Sequence, residues 1–448
     1  MRDLAFVGFL LALIGMGLKR PFILVLAYVY IDVVSPQRLT YLLLNAVPIS
    51  AIAVALAVGG WLLADDKSGT RVAPRQALIL LLLGYCYCTT LSADFPVEAA
   101  DKWEWVWKAL AFAAFLPLTL RTRVRVEALL LFLVLSAGSI IIVGGIKTLA
   151  SGGGYGQLAL MVNNNTGLYE SSIISTVAIA IIPVIWWLTR HGTIFPPDWR
   201  VRLFGQALIF ACLLMPVGTS ARTGLLCIGL LAVLLVRTVK RRVRYLLLLA
   251  CAGAVAVPLL PQGFTDRMQT IGGYQADESA STRLAVWKWT WDYVGDHPFG
   301  GGFEAYRQNH IRYDTVKLAG DGPSQTVEST LAVDQARAYH SAYFEMLGEQ
   351  GWPGLILWLL IHGGGIVRME VLRRRHRAED DAWAGELADA LQKAHLVYLL
   401  GAAFVGIALN PFVYMLVGAQ IGLDTYLARR RADVGMRPLR PRPALAAA

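Results

Sequence analysis

The chain has 448 residues, 56% of them hydrophobic and 16% charged, with a mean hydropathy of +0.52 and a formal net charge of +10. A water-soluble domain cannot cover so many long apolar runs, so the composition selects a polytopic membrane protein. The basic excess gives little reason to expect nucleic-acid binding, because it is spread over short connections and is not interleaved with aromatics on one surface.

Apolar segments fall at 4–18, 22–35, 43–64, 77–92, 104–120, 128–147, 169–189, 203–218, 223–236, 244–260, 343–367, 395–410 and 411–427. Most approach the roughly 17–25 residues that a spanning helix needs, which predicts an all-α membrane fold of about twelve transmembrane helices. Lys19-Arg20-Pro21 splits the first two segments, so residues 4–35 read as two short spans, an interfacial or re-entrant hairpin, or one broken helix. The first apolar run lacks a small-x-small cleavage site, so no cleavable signal peptide is expected. Residues 1–260 form an N-terminal set of membrane helices, 261–342 a large loop domain, 343–427 a C-terminal set and 428–448 a tail.

Basic residues mark every second connection: Lys67/Arg71/Arg75, Arg121/Arg123/Arg125, Arg190/Arg200/Arg202, Arg237/Lys240/Arg241/Arg242/Arg244, Arg368/Arg373/Arg374/Arg375/Arg377 and Arg429/Arg430/Arg431. The positive-inside rule makes these connections cytoplasmic. The alternate ones, near 93–102, 148–168, 219–222, 261–342 and 410–411, are then exterior. Residues 378–394, with Glu379/Asp380/Asp381 and alternating Ala and Leu, suggest an amphipathic surface helix. Cys86, Cys88, Cys212, Cys227 and Cys251 lie inside apolar segments and read as small hydrophobes.

Within the exterior segment, Ser281–Trp291 predicts a helix with Arg283, Trp287 and either Thr290 or Trp291 on one face. Asp296–Phe303 must be a turn and loop, and 315–335 reads as a flexible polar stretch. Gly300-Gly301-Gly302 has no strand before it and no Gly-Lys-Ser/Thr after it, which excludes a phosphate-binding P-loop.

Two residues stand out chemically. His340 lies where the exterior loop meets a membrane helix, and the positive end of that helix dipole would keep its imidazole neutral, as a base must be. The alternative is a satisfied interfacial histidine. The glycines at 348, 351 and 354 fall along one side of that helix and allow a backbone to approach. Arg222 is held at or below the membrane surface by the short turn Thr219–Gly224, where a charge serves a function or snorkels. Lys102, Lys147, Arg312 and Arg337 are also exterior and could meet phosphate, with a solvated charge as the plainer reading. Asp94, Asp101 and Glu104 read as structural or solvated, and Asn163-Asn164-Asn165-Thr166 as a helix N-cap. His362, His376 and His395 lie within spans or near the cytoplasmic side, away from this chemistry.

Ser220-Ala221-Arg222, then Ser281-Thr282-Arg283 with its tryptophans and Gly300-Gly301-Gly302-Phe303, then His340-Ser341 with the spaced glycines, together resemble the bacterial O-antigen ligase family over about residues 150–420. The N-terminal third resembles the subgroup of O-glycosylation ligases found with exosortase systems. The resemblance implies an inverting, metal-independent glycosyltransferase of the integral-membrane GT-C class, in the bacterial inner membrane with a periplasmic active site. Such an enzyme moves a glycan from undecaprenyl pyrophosphate to the lipid A core and uses no cofactor. The chemistry itself asks for a base to activate an acceptor hydroxyl and cations to neutralise the leaving pyrophosphate. His340 fits the first role, and Arg222 and Arg283 the second, since guanidinium forks match phosphate oxygens. The exterior acids form no compact carboxylate cluster in sequence, so no metal site is expected. A protein O-oligosaccharyltransferase or an O-antigen polymerase would use the same donor. A transporter is the alternative of a different class, although no repeat of the two halves is visible.

Overall fold

The computed structural model describes residues 2–44, 46–151, 168–237, 244, 278–319, 326–378 and 381–435. Asn163–Thr166, Lys240/Arg241/Arg242, Cys251 and Glu379/Asp380 lie outside these residues. Helices α1 (Arg2–Lys19) and α2 (Phe22–Val34) settle one open question: the N-terminal segment is two helices and not one. Gly17 makes the turn tight, since a Cβ there would meet Leu24 Cδ2 at 2.4 Å. The short α3 (Pro36–Leu39) is followed by α4 (Ile49–Ala64), α5 (Pro74–Leu91), α6 (Pro96–Thr119), α7 (Arg123–Ser151), α8 (Ser171–His191), α9 (Trp199–Gly218) and α10 (Arg222–Val236). Beyond them come α11 (Glu278–Asp296), β1 (His310–Ala319), β2 (Thr326–Gln335), α12 (Ala342–Ala378), α13 (Ala382–Ala402) and α14 (Pro411–Gly435). Among the described residues, α7, α8, α9 and α12 are long and apolar enough to cross a membrane, and α2, α4 and α10 are shorter apolar helices.

Contacts sort the connections into two groups, as the charge pattern requires. At one end, Arg125 pairs bidentately with Asp65 (2.6 and 2.7 Å), Arg121 Nη2 meets Asp66 (3.0 Å), and Arg430 Nη1 meets Asp381 (2.8 Å). The buried Glu127 carboxylate gathers Arg123 Nε, the Thr193 amide and Trp383 Nε1 at this same end. At the other end, the Asp94 amide donates to Gly301 O, Thr219 Oγ1 lies 2.8 Å from Ser175 Oγ, and Glu345 accepts from the Ala408 amide. The basic connections thus cluster at one end and the loop segment at the other.

Three expectations change. Within 315–335, expected to be a flexible stretch, the described residues belong to two antiparallel strands, β1 and β2, with His310 opposite Gln335 and Ala319 opposite Thr326. The run Thr326–Val333 is rich in β-branched residues, which suit a pleated strand. The segment after 378 is not a surface helix, because α13 is buried along most of its length against α8 and α12. Its Ala and Gly positions admit neighbouring helices, and its charges are absorbed locally, with Lys393 Nζ on Asp389 Oδ2 at 2.5 Å. The glycine stripe of α12 is not one continuous helix face, since Gly351 (φ 61°, ψ −167°) breaks the helix.

A polar string crosses the interior of the bundle. His362 Nδ1 lies 2.8 Å from His395 Nε2, His395 Nδ1 lies 3.0 Å from Gln420 Nε2, and Arg75 Nη2 donates to Gln420 Oε1 at 2.8 Å. It ties α12, α13, α14 and α5 together and accounts for both histidines, which are distant in sequence from His340.

Candidate functional site

The break in α12 has a backbone cause. Pro353 has no N–H, so the Glu349 carbonyl has no helical donor four residues on. The Gly300–Gly302 loop supplies what the helix lacks: Gly302 N donates to Glu349 O (2.9 Å), and Gly301 N donates to Gly348 O (3.1 Å). In return the Trp352 amide, which would have bonded Gly348, donates to Pro298 O at 3.0 Å. The approach needs glycine on both sides. Gly300 (φ 77°) and Gly351 (φ 61°) have left-handed backbones, and a Cβ on Gly300 would stand 2.5 Å from Gly351 N. The expected close approach of a backbone to this helix is therefore real, and its partner is the glycine loop.

Beneath this clasp Lys102 of α6 is sandwiched between two acids one helical turn apart. Its Nζ lies 2.7 Å from Glu345 Oε1 and 2.9 Å from Glu349 Oε2, with side-chain exposures of 11%, 8% and 1% respectively. Glu349 also accepts from the Glu304 amide (3.1 Å), and Phe303 lies under the ammonium at 5.5 Å. The expectation of a solvated Lys102 fails, because the clasp seals this corner against water. Asp94 is structural, as expected: its Oδ2 accepts from Tyr293 Oη and Gln308 Nε2, both at 2.8 Å.

The chain leading into α12 is held at three points. Buried Asn309 donates from Nδ2 to Arg337 O (2.7 Å), its Oδ1 accepts from the Arg337 amide (2.9 Å), and its carbonyl accepts from the Ala336 amide (3.0 Å). Trp287 Nε1 donates to Tyr339 O at 2.9 Å while its ring stacks on Phe344 with centroids 5.0 Å apart. Between these anchors His340 has φ 48°, a conformation that costs a non-glycine residue about 1–2 kcal/mol. Such strain persists only where its surroundings over-determine it.

The His340 ring is half-buried, and its pKa is pulled from 6.5 down to about 4, chiefly by burial and further by the charges of Arg283 and Arg337. It is neutral, as the sequence led us to expect, through burial and the two guanidiniums. Arg283 belongs to the face of α11 that carries Trp287 one turn on, and the buried residue completing that face is Thr290, while Trp291 is exposed. Arg337, which like Lys102 read in sequence as a solvated charge, is brought to His340 by the Asn309 bracket; its Nη1 pairs with Asp334 at 3.0 Å. No local pattern marks that role.

Arg222 is placed separately, as the first residue of α10, and it is half-buried. The turn before it is tight: Ser220 has φ 50° and the Ala221 amide bonds Pro216 O at 3.0 Å. A cation at a helix N-terminus opposes the helix dipole. The charges acting on the His340 ring are those of Arg283 and Arg337, and Arg222 is not among them.

All three motif groups fall within residues 207–359, a stretch that matches the O-antigen ligase family. Residues 1–193 match a family of unknown function. No curated protein matches the chain. Over residues 207–359 the chain is thus similar to the O-antigen ligase family.

Proposed function

We propose that the protein is an O-antigen ligase of the bacterial inner membrane, a GT-C-type glycosyltransferase of about twelve transmembrane helices. Residues 261–342 are its periplasmic loop domain, lying between the membrane helices of 1–260 and 343–427. It transfers a glycan from undecaprenyl pyrophosphate to the lipid A core oligosaccharide, with inversion and without a metal ion or cofactor. The observation that carries this reading is a neutral His340 flanked by the guanidiniums of Arg283 and Arg337 on a strained, anchored backbone.

The acceptor hydroxyl gives its proton to a His340 ring nitrogen as its oxygen bonds the anomeric carbon. The bond from that carbon to the pyrophosphate oxygen breaks on the opposite face, which inverts the centre. The electron pair leaves with the pyrophosphate, and Arg222 and Arg283 neutralise it through their forked donors. Arg283, together with Arg337, also tunes the base. A bound pyrophosphate offsets their positive field and raises the His340 pKa, so basicity develops when the donor is in place. A protein or growing-polymer acceptor would use the same base and clamp.

The test is transfer by purified protein from undecaprenyl-pyrophosphate-linked glycan to lipid A core, with a protein acceptor in parallel. His340→Ala should insert normally and lose about 10²–10⁴-fold in rate. Transfer should persist in excess EDTA. Near-normal turnover by folded His340→Ala removes the base from the mechanism. EDTA-sensitive transfer restored by magnesium overturns the arginine clamp.

A further inference from the structure

At the basic end of the bundle, opposite the candidate site, a cavity of about 610 Å³ lies between the end of α10, the second half of α12 and the middle of α13. Among the described residues, Arg237, Arg373, Arg374, Arg377 and Lys393 line it against two carboxylates, Glu370 and Asp389. Glu370 is shared, taking Arg373 at 2.7 and 2.9 Å and Arg374 Nε at 2.6 Å. Asp389 takes Lys393, and Glu386 reaches Arg377 at 3.5 Å. Carboxylates thus stay outnumbered by cations.

The rest of the cavity wall is of a different kind. Ile366, Val367 and Leu396 continue it away from the charges toward the middle of the helices, and Val367 is 64% exposed. A cavity with a basic mouth and an apolar wall along membrane helices matches a molecule with an anionic head and hydrocarbon tails. A free anion would leave the apolar wall wet, and a neutral lipid would leave the cationic excess unmatched.

We propose that this cavity seats one anionic diacyl phospholipid, its phosphate between Arg373, Arg374 and Arg377 and an acyl chain against Val367 and Leu396. The lipid wedges α10 to α12 and α13 at the end where α12 carries no clasp. Its seat is independent of donor and acceptor.

The test is native mass spectrometry of the full chain released from nanodiscs of phosphatidylglycerol and phosphatidylcholine mixed equally. The wild type should retain one phosphatidylglycerol in strong preference. Each basic residue near a membrane surface contributes roughly 1 kcal/mol to anionic-lipid attraction, so Arg374→Gln with Arg377→Gln should weaken retention on the order of 25-fold. These two side chains are 71% and 50% exposed, so their loss leaves the fold intact. Arg200→Gln with Arg202→Gln removes two exposed charges elsewhere at the same end and should change nothing. Equal retention of both lipids, equal losses in the two double variants, or displacement of the lipid by millimolar inorganic phosphate overturns the proposal.

Discussion

Protonating His340 should be costly, and the cost can be set from the structure. Its pKa is about 4 in the fold against 6.5 when free, and each unit corresponds to about 1.4 kcal/mol, so the native environment favours the neutral ring by roughly 3 kcal/mol. The unfolded chain binds the proton more readily, so stability rises with pH between about 4 and 6.5, and acidification through that window removes it. Histidine C2-hydrogen exchange, read by mass spectrometry on the peptide that contains His340, measures the midpoint directly. The wild type should titrate near 4. Arg337→Gln should move the midpoint upward yet leave it below 6.5, because burial is the larger cause. Inorganic pyrophosphate should raise the wild-type midpoint by screening Arg283 and Arg337. A folded wild type titrating at 6.5, or one indifferent to loss of both arginines, refutes the electrostatic account of the base.

Lys102→Met should lose roughly 3–5 kcal/mol, since it strands two buried carboxylates one turn apart, and adding Glu345→Gln with Glu349→Gln should recover most of it in thermal unfolding. Full stability of the single variant would show that the acids find another partner. Gly351→Ala places a Cβ 2.3 Å from Phe299 C and Pro298 O at a left-handed φ, so the loop should detach and become sensitive to limited proteolysis at 296–303; unchanged protection would contradict the clasp. Arg222→Lys and Arg283→Lys keep charge but lose the fork, and both should be clearly impaired in donor turnover. Wild-type kinetics from both would mean that charge alone suffices.

Composition and spacing determined the class of this protein, because long apolar runs and the alternation of basic connections are one-dimensional signals that a bilayer reads directly. They also singled out Arg222 and His340 as candidates, whose positions at loop edges are visible without a fold, and placed Arg283 on a helix face within the loop segment. Sequence could not place what depends on contact between distant segments. Arg337 reaches His340 only through Asn309, and Lys102 meets Glu345 and Glu349 across 243 and 247 residues. The pairing of β1 with β2 was missed because their polar residues outweighed the β-branched ones, and burial of α13 was missed because paired charges such as Asp389 and Lys393 look solvated in one dimension. Gly300 and Gly351 were legible as permissive residues. That they face each other, so that a loop completes the hydrogen bonds a proline denies to a helix, was decided by tertiary packing alone, since an unmet backbone carbonyl selects its donor by proximity and not by sequence.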